Sequence, residues 1–388
     1  MKRTQRIVFL VPGFFGFTAV GDLSYFHDVE RALGKALERR RFEARLVRCP
    51  TQPTGSIPRR ADQLRRQVLR HGGLKATELH FVGHSTGGLD QRLLLSPGVS
   101  ISGDDSEEQI GRRTRTAVSV VTPHYGTPLA NFFATAQGHQ VLLLLASLAT
   151  TGQGRGAIRL ASRATSLLSR LGGLLGGEAL TDEALRRLMK AIRFDKDDPV
   201  WRYFEAVASD QGAVLQLTPE GTNLFAAAVV DRPGVDYASV VAATPRPPAR
   251  LDRALLHPQQ LALRGLFRLL HGITSRPHAR YPYPSPTAAV RRRIERGIGF
   301  ELTPAANDGI VPAMSQVHGR VVHAVRADHL DVVGHYTLAA EGSSNWLPSG
   351  AAFTPEQFGA LWDDVAAVIA GSGAGRSRRV GRAKRRRG

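Results

Sequence analysis

The segment Phe81-Val82-Gly83-His84-Ser85-Thr86-Gly87-Gly88 runs an apolar stretch into G-x-S-x-G, after which the residues turn to helix formers. A serine on a sharp strand-to-helix turn holds its hydroxyl clear of the sheet. Glycine is needed on both sides because the strained backbone packs the flanking residues too closely for side chains. Such a hydroxyl is a poor nucleophile until a base takes its proton, and the base needs a carboxylate to fix its tautomer and stabilise its charged form. Two later loops offer these partners in the order serine, acid, base. Asn307-Asp308-Gly309-Ile310-Val311-Pro312 holds an aspartate in a glycine turn, and Ala327-Asp328-His329-Leu330-Asp331 holds a histidine. Read alone, Asp308 would serve equally well as a turn residue, a common use of Asp-Gly. Of the 13 histidines, His335 is the main rival to His329, its place after Gly334 suiting a supporting role as well, whereas His323 lies within a strand pattern. Asp328 and Asp331 stand so close to His329 that they suit the structure of its loop better than the part of the acid.

Negative charge forming on an attacked carbonyl group needs a pair of N–H donors. Ser85 falls at a helix N-terminus, where the N–H of Thr86 and the helix dipole favour an anion. Val11-Pro12-Gly13-Phe14-Phe15-Gly16 follows an early apolar run, and its glycines allow a turn that offers the N–H of Phe14 as the second donor.

The elements that must carry these loops alternate in the α/β manner. Strands are predicted at 7–11, 43–48, 79–82 and 117–121, and helices at 25–40, 60–71 and 88–95. Phe26, Val29, Leu33 and Leu37 share one face of the first helix, and Leu64 and Val68 one face of the second. This order predicts an α/β fold with a mostly parallel central sheet flanked by helices. The first part of the core is expected over 1–130. From 131 to 210 a leucine-rich, glycine-broken pattern, with helical runs at 141–149, 158–171 and 182–192, predicts a helical cap inserted into the core. A core strand region follows over 211–243, with strand-like runs at 214–217 and 235–241. A second insertion over 244–297 carries prolines that mark loops. The last part of the core, 298–371, holds strand-like runs at 298–302 and 321–325 ahead of the acid and base loops. Thr354-Pro355-Glu356-Gln357 is a capping box that opens a final helix ending near Gly371.

At 388 residues and 42% hydrophobic content the chain can bury a large sheet. Its single cysteine, Cys49, excludes an internal disulfide and argues against a thiol metal site. The formal charge is +19, and the stretch from Arg376 to Arg387 holds eight basic residues and no acid. That tail, 372–388, has no apolar periodicity. It is expected to be irregular and to attract the phosphates of anionic lipid or nucleic acid without specificity. The N-terminus imitates a signal peptide, but Pro12-Gly13 interrupts the apolar stretch and no small-x-small site follows. A first strand is the expectation there, with a cytoplasmic location. The longest apolar run, 141–149, is too short to span a bilayer. Nothing in the pattern specifies an oligomer.

Six blocks carry a resemblance: Pro12-Gly13-Phe14-Phe15-Gly16, Gly83-His84-Ser85-Thr86-Gly87-Gly88, Thr122-Pro123-His124-Tyr125-Gly126-Thr127-Pro128-Leu129-Ala130, Leu217-Thr218-Pro219-Glu220-Gly221-Thr222, Asn307-Asp308-Gly309-Ile310-Val311 and Asp328-His329-Leu330-Asp331. In this order the chain resembles the bacterial triacylglycerol lipases and carboxylesterases of the α/β-hydrolase fold. The resemblance implies that fold, with the cap as a lid, and an enzyme that cleaves carboxylic esters with lipid-like acyl groups. It implies Ser85 as nucleophile, Asp308 as acid, His329 as base, and Phe14 and Thr86 as oxyanion donors. It thins out over 131–210 and 244–296, where substrate choice would be decided. Two departures matter. The family usually has histidine before the oxyanion glycine, and Pro12 stands there, so the turn must be anchored differently. Several members bind calcium near the catalytic histidine, with an aspartate that matches Asp331, but Ser285 and Pro286 stand where a second carboxylate is expected. One carboxylate seldom suffices for calcium, so no metal and no cofactor are expected. Acyl transfer, thioester or amide cleavage would use the same site. A polyanion-binding protein that has kept the scaffold is the alternative from another class, and the complete triad blocks speak against it.

Overall fold

Strands that are apolar on both faces must be covered from both sides, and the six strands of this protein, described by a computed structural model, form one such parallel sheet. The structure describes residues 5–14, 25–135, 138, 210, 212–246, 258–334 and 349–384, by backbone alone at 258–263 and 372–384. The strands are β1 (Arg6–Val11), β2 (Arg45–Arg48), β3 (Glu78–His84), β4 (Thr114–Val120), β5 (Asp236–Ala243) and β6 (Arg320–Arg326), in the order β2-β1-β3-β4-β5-β6. Every neighbouring pair is parallel. The chain starts at β1, moves outward to β2, then crosses back to β3 and proceeds the other way. The crevice at the carboxyl ends of β1 and β3 is therefore the switch point at which open α/β sheets bind ligands. Gly13 follows the end of β1 and Ser85 the end of β3.

The helices are α1 (His27–Arg39), α2 (Ile57–Arg70), α3 (Gly87–Leu95), α4 (Ser106–Arg113), α5 (Pro128–Phe133), α6 (Gly212–Gln216), α7 (Pro219–Ala228), α8 (Pro258–Thr274), α9 (Ala288–Ile298) and α10 (Pro355–Lys384). On one face of the sheet, Val29, Leu33 and Leu37 of α1 and Leu361, Trp362 and Val365 of α10 pack over Val8, Leu10, Val120 and Val240. On the other face, Leu64 and Val68 of α2, Leu94 of α3 and Ile110 of α4 cover Ile7, Phe9, Phe81 and Ala117. Ile294 and Ile298 of α9 cover Val241, Ala243 and Val321 on the same side. The i, i+4 spacing that marked the apolar stripes of α1 and α2 is what buries them.

Some expectations are corrected. The run at 214–217 belongs not to a strand but to the short helix α6 and the turn after it. Thr218 then caps α7 by accepting the Gly221 N–H at 3.0 Å, so the two form consecutive helical pieces. The run at 298–302 is not a strand either. Ile298 closes α9, and Gly299 stops the helix in the left-handed region at φ +81°. The free edge of β5 is already taken by β6. Between its proline-marked loops, the second insertion contains α8 and contributes α9. The final helix does not end near Gly371 but runs to Lys384, since no proline stops it. That covers much of the tail expected to be irregular. Most of the cap at 131–210, its three helical runs, Phe15, Gly16 and His335 lie outside the described residues. No helix among the described residues is long and apolar enough to cross a membrane.

Gly87 shows how tightly the switch point is built. A Cβ there would stand 2.3 Å from the carbonyl oxygen of Val11 and 2.7 Å from that of Pro12, both backbone atoms that can move only with β1. Gly87→Ala is expected to lower unfolding stability by roughly 1–3 kcal/mol, as overpacking does. Chemical denaturation measures this, and a loss below about 0.5 kcal/mol would mean that the end of β1 yields freely.

Candidate active site

The backbone of Ser85 lies in the left-handed region at φ +53°, an arrangement a non-glycine residue keeps only when its surroundings impose it. Here they do. The Ser85 N–H is bonded to the carbonyl of Val120 at 2.8 Å, continuing the parallel β3–β4 ladder past His84. A Cβ on Gly83 would stand 2.5 Å from the backbone of Gly87 and Gly88. Thr86 follows at the cap position of α3, fully buried. Across the crevice, a Cβ on Gly13 would stand 2.5 Å from Ser85 Cβ and 3.1 Å from its Oγ. The turn after β1 therefore closes directly on the serine, and half-buried Phe14 comes next on it.

Asp308 and His329 meet, with His329 Nδ1 2.7 Å from Asp308 Oδ2. The loops are also joined through their backbones, the His329 N–H donating to the Asp308 carbonyl at 3.1 Å. Asp308 is fully buried. Its Oδ1 accepts the N–H groups of Ile310 at 2.9 Å and Val311 at 2.7 Å, and Oδ2 also accepts Gln316 Nε2 at 3.2 Å. A buried carboxylate held by this many donors stays an acceptor. It therefore fixes the His329 proton on Nδ1 and leaves Nε2 as the basic nitrogen. The acid loop is braced in turn by α8. Asn307 Nδ2 donates to Ser275 Oγ at 3.0 Å, Thr274 Oγ1 donates to the Gly309 carbonyl at 3.2 Å, and the ring of Phe267 fills the space a side chain at Gly309 would need. No hydrogen bond joins Ser85 to His329. Their link is His84, whose ring lies 4.8 Å from that of His329 between centroids.

The anchor of the turn after β1, left open by Pro12, comes from α2. Arg60 is fully buried and paired with fully buried Asp90 at 2.8 Å. The same guanidinium donates to the carbonyls of Gln52 at 2.6 Å, Pro12 at 2.7 Å and Gly13 at 3.3 Å. In a trans peptide the C=O and the next N–H point opposite ways, so drawing the Gly13 carbonyl toward Arg60 aims the Phe14 N–H away from it. Burial pushes the Asp90 carboxyl up to about 6 against the pull of Arg60. The signal was present in the pattern. Arg60 falls among Ile57, Ala61, Leu64 and Val68 on the buried stripe of α2, and Asp90 lies in a helix whose residues are all buried. Charged residues in such places need a partner.

Apolar side chains surround the site: Phe14, Leu129, Phe133, Val214, Phe267 and Ile310 share one cluster with Leu330, the residue after His329. A calcium site does not fit the described residues. Asp331 Oδ2 accepts the Asp328 N–H at 2.8 Å, and Asp328 Oδ1 accepts the Leu330 and Asp331 N–H groups, each at 2.9 Å. These aspartates tie their own loop. Ser285 is exposed, and no group of three or more His, Cys, Asp or Glu among the described residues is placed to hold a metal.

No protein-family model matches the sequence, and no curated protein does. Among solved structures, the chain is similar to EstA from Clostridium botulinum, at 16% identity over 95% of this chain and 87% of that one, with a TM-score of 0.51. It is similar to the lipase of Staphylococcus hyicus at 15% identity over 97% of this chain and 98% of that one, also with a TM-score of 0.51. Identities this low speak to the fold, and the six-stranded parallel sheet with helices on both faces agrees with them. The chain therefore has the α/β-hydrolase fold, in common with the staphylococcal lipase.

Proposed function

We propose that the protein is a serine hydrolase of carboxylic esters with apolar acyl groups. The observation that carries this reading is the 2.7 Å bond between His329 Nδ1 and Asp308 Oδ2, because it leaves Nε2 unprotonated at the end of the sheet that also carries the strained Ser85. Ser85 Oγ attacks the acyl carbon and its proton passes to His329 Nε2. The N–H groups of Phe14 and Thr86 hold the oxyanion. Collapse breaks the bond to the alcohol oxygen, which takes the proton from His329 and leaves an ester on Ser85. Water then attacks that ester with His329 again accepting the proton, and Ser85 is released with the free acid. The apolar cluster around Phe14 and Leu330 supports an acyl chain as the neighbour of the scissile bond. The fold shared with a lipase supports the same reading. In Ser85→Ala, turnover of p-nitrophenyl esters is expected to fall by at least about 10⁴-fold with an unchanged unfolding midpoint. Retention of a tenth of the wild-type rate, on about the scale of a mere positioning effect, would end the proposal.

A histidine base works only in its neutral form, and the base loop adds a pH dependence of its own. Burial pushes the Asp328 carboxyl up to about 6, although the Ser349 hydroxyl and loop N–H groups pull it down. Burial, reinforced by the charge of Asp328, holds Asp331 well above the usual carboxylate range. An acid with a raised folded-state pKa binds more protons folded than unfolded, so stability falls as pH rises from about 4 to beyond about 6. Asp328→Asn keeps an oxygen for the Leu330 and Asp331 N–H groups. Its unfolding midpoint should therefore decline less than that of the wild type across this window, as thermal melts at stepped pH would show. Parallel declines would contradict it.

A further inference from the structure

Tyr25, a buried phenol two residues before α1, has no part in the steps above. Its hydroxyl lies 2.6 Å from His84 Nδ1 and 3.2 Å from the backbone nitrogen of Gly13. The other nitrogen of His84, Nε2, lies 2.9 Å from the carbonyl oxygen of His329. One acceptor orders this chain of bonds for a neutral His84 ring. A carbonyl can only accept, so His84 Nε2 carries the hydrogen; the neutral ring then offers Nδ1 as an acceptor, so the Tyr25 O–H donates to it. The phenol oxygen in turn accepts the Gly13 N–H. Burial raises the phenol further above its ordinary pKa and keeps the hydroxyl protonated.

The chain therefore ties the residue before Phe14 to the residue that carries the base, and it passes through the residue before Ser85. Arg60 holds the same turn from another direction, by the carbonyls of Pro12 and Gly13. Between them the two grips commit both the N–H and the C=O of Gly13, and with them the plane of the peptide that presents the Phe14 N–H. Asp308 holds the imidazole of His329, but the backbone of that residue is held by the Asp308 carbonyl on one side and by His84 on the other.

We infer that Tyr25 and His84 are positioning residues that set the oxyanion turn and the base loop against each other across the nucleophile. The inference rests on the roles proposed for Phe14 and His329. It predicts a coupling that neither loop shows alone, since removing one hydroxyl in the first should loosen both.

Tyr25→Phe in the full chain is the test, read by backbone hydrogen exchange and by kinetics. Exchange is expected to rise at least about fivefold in peptides covering Gly13 and in those covering His329 and Leu330, with no change over residues 355–371 of α10. The kcat for p-nitrophenyl esters should fall roughly ten- to a hundredfold, less than the loss of an oxyanion donor outright. KM should stay within about twofold, and the pH midpoint of kcat/KM should not move, because Asp308 still holds the ring. His84→Gln, which keeps a donor and an acceptor at the branch point, supplies a second variant. Its effect and that of Tyr25→Phe should combine to less than their sum if both act through one chain. Unchanged exchange at either loop, additive losses, or a kcat loss accounted for by a smaller folded fraction would overturn the inference. Hydrogen exchange needs no turnover, so a wild-type protein inert toward esters would end the proposed function while the exchange result still decided the role of Tyr25.

Discussion

The turn at Ser85 is the constraint to which the rest of the molecule is fitted. A serine at φ +53°, with no room for a side chain at Gly83, Gly87 or Gly13 around it, keeps that conformation only if both neighbouring strands and the helix behind it are fixed. β4 fixes it through the Val120 carbonyl, and β1 through the approach of Gly13. The strain also positions chemistry. It turns the Ser85 hydroxyl out of the sheet and places the first N–H groups of α3 behind it, where a helix end favours negative charge.

Charge burial is the second theme. The interior on the α2 side of the crevice holds an Arg60–Asp90 pair with no exposure, and a buried ion pair seldom repays its desolvation by attraction alone. This one has further acceptors: three backbone carbonyls complete the guanidinium's bonds, and two of them belong to the turn after β1. The cost of burial thus goes with a structural result, a loop held by its carbonyls that cannot collapse into the crevice. Asp308 follows the same logic with the opposite sign, as a buried anion surrounded by N–H donors and by the His329 ring.

Much of this was legible in the residues, and what was not has physical reasons. Asp308 and His329 could be read because each lies in a short loop after an apolar run, and the structure brings them into contact. β1, β3, β4 and β6 could be read from their apolar runs, and α1 and α2 from their period. The runs at 214–217 and 298–302 could not, because a short aliphatic run looks the same in a buried helical turn as in a strand. Only Thr218 and Gly299, a cap and a stop, tell them apart. The importance of Arg60, Asp90 and Tyr25 lies in contacts such as Arg60 with Asp90, 30 residues on, and Tyr25 with His84, 59 residues on, which neither period nor spacing records. A charged residue on an apolar stripe was nevertheless a visible sign.

The central claim is that Ser85 is the nucleophile of a preorganised site, and covalent capture tests it most directly. A fluorophosphonate ester transfers its phosphonyl group, with loss of fluoride, to a serine whose hydroxyl is activated by a base and whose surroundings stabilise the negative charge on the phosphonyl oxygen. Intact-mass measurement after incubation should show a single adduct per chain, and peptide mapping should place it on Ser85, with labelling lost in His329→Ala. No adduct, or an adduct on another residue while Ser85 stays unmodified, would contradict the account.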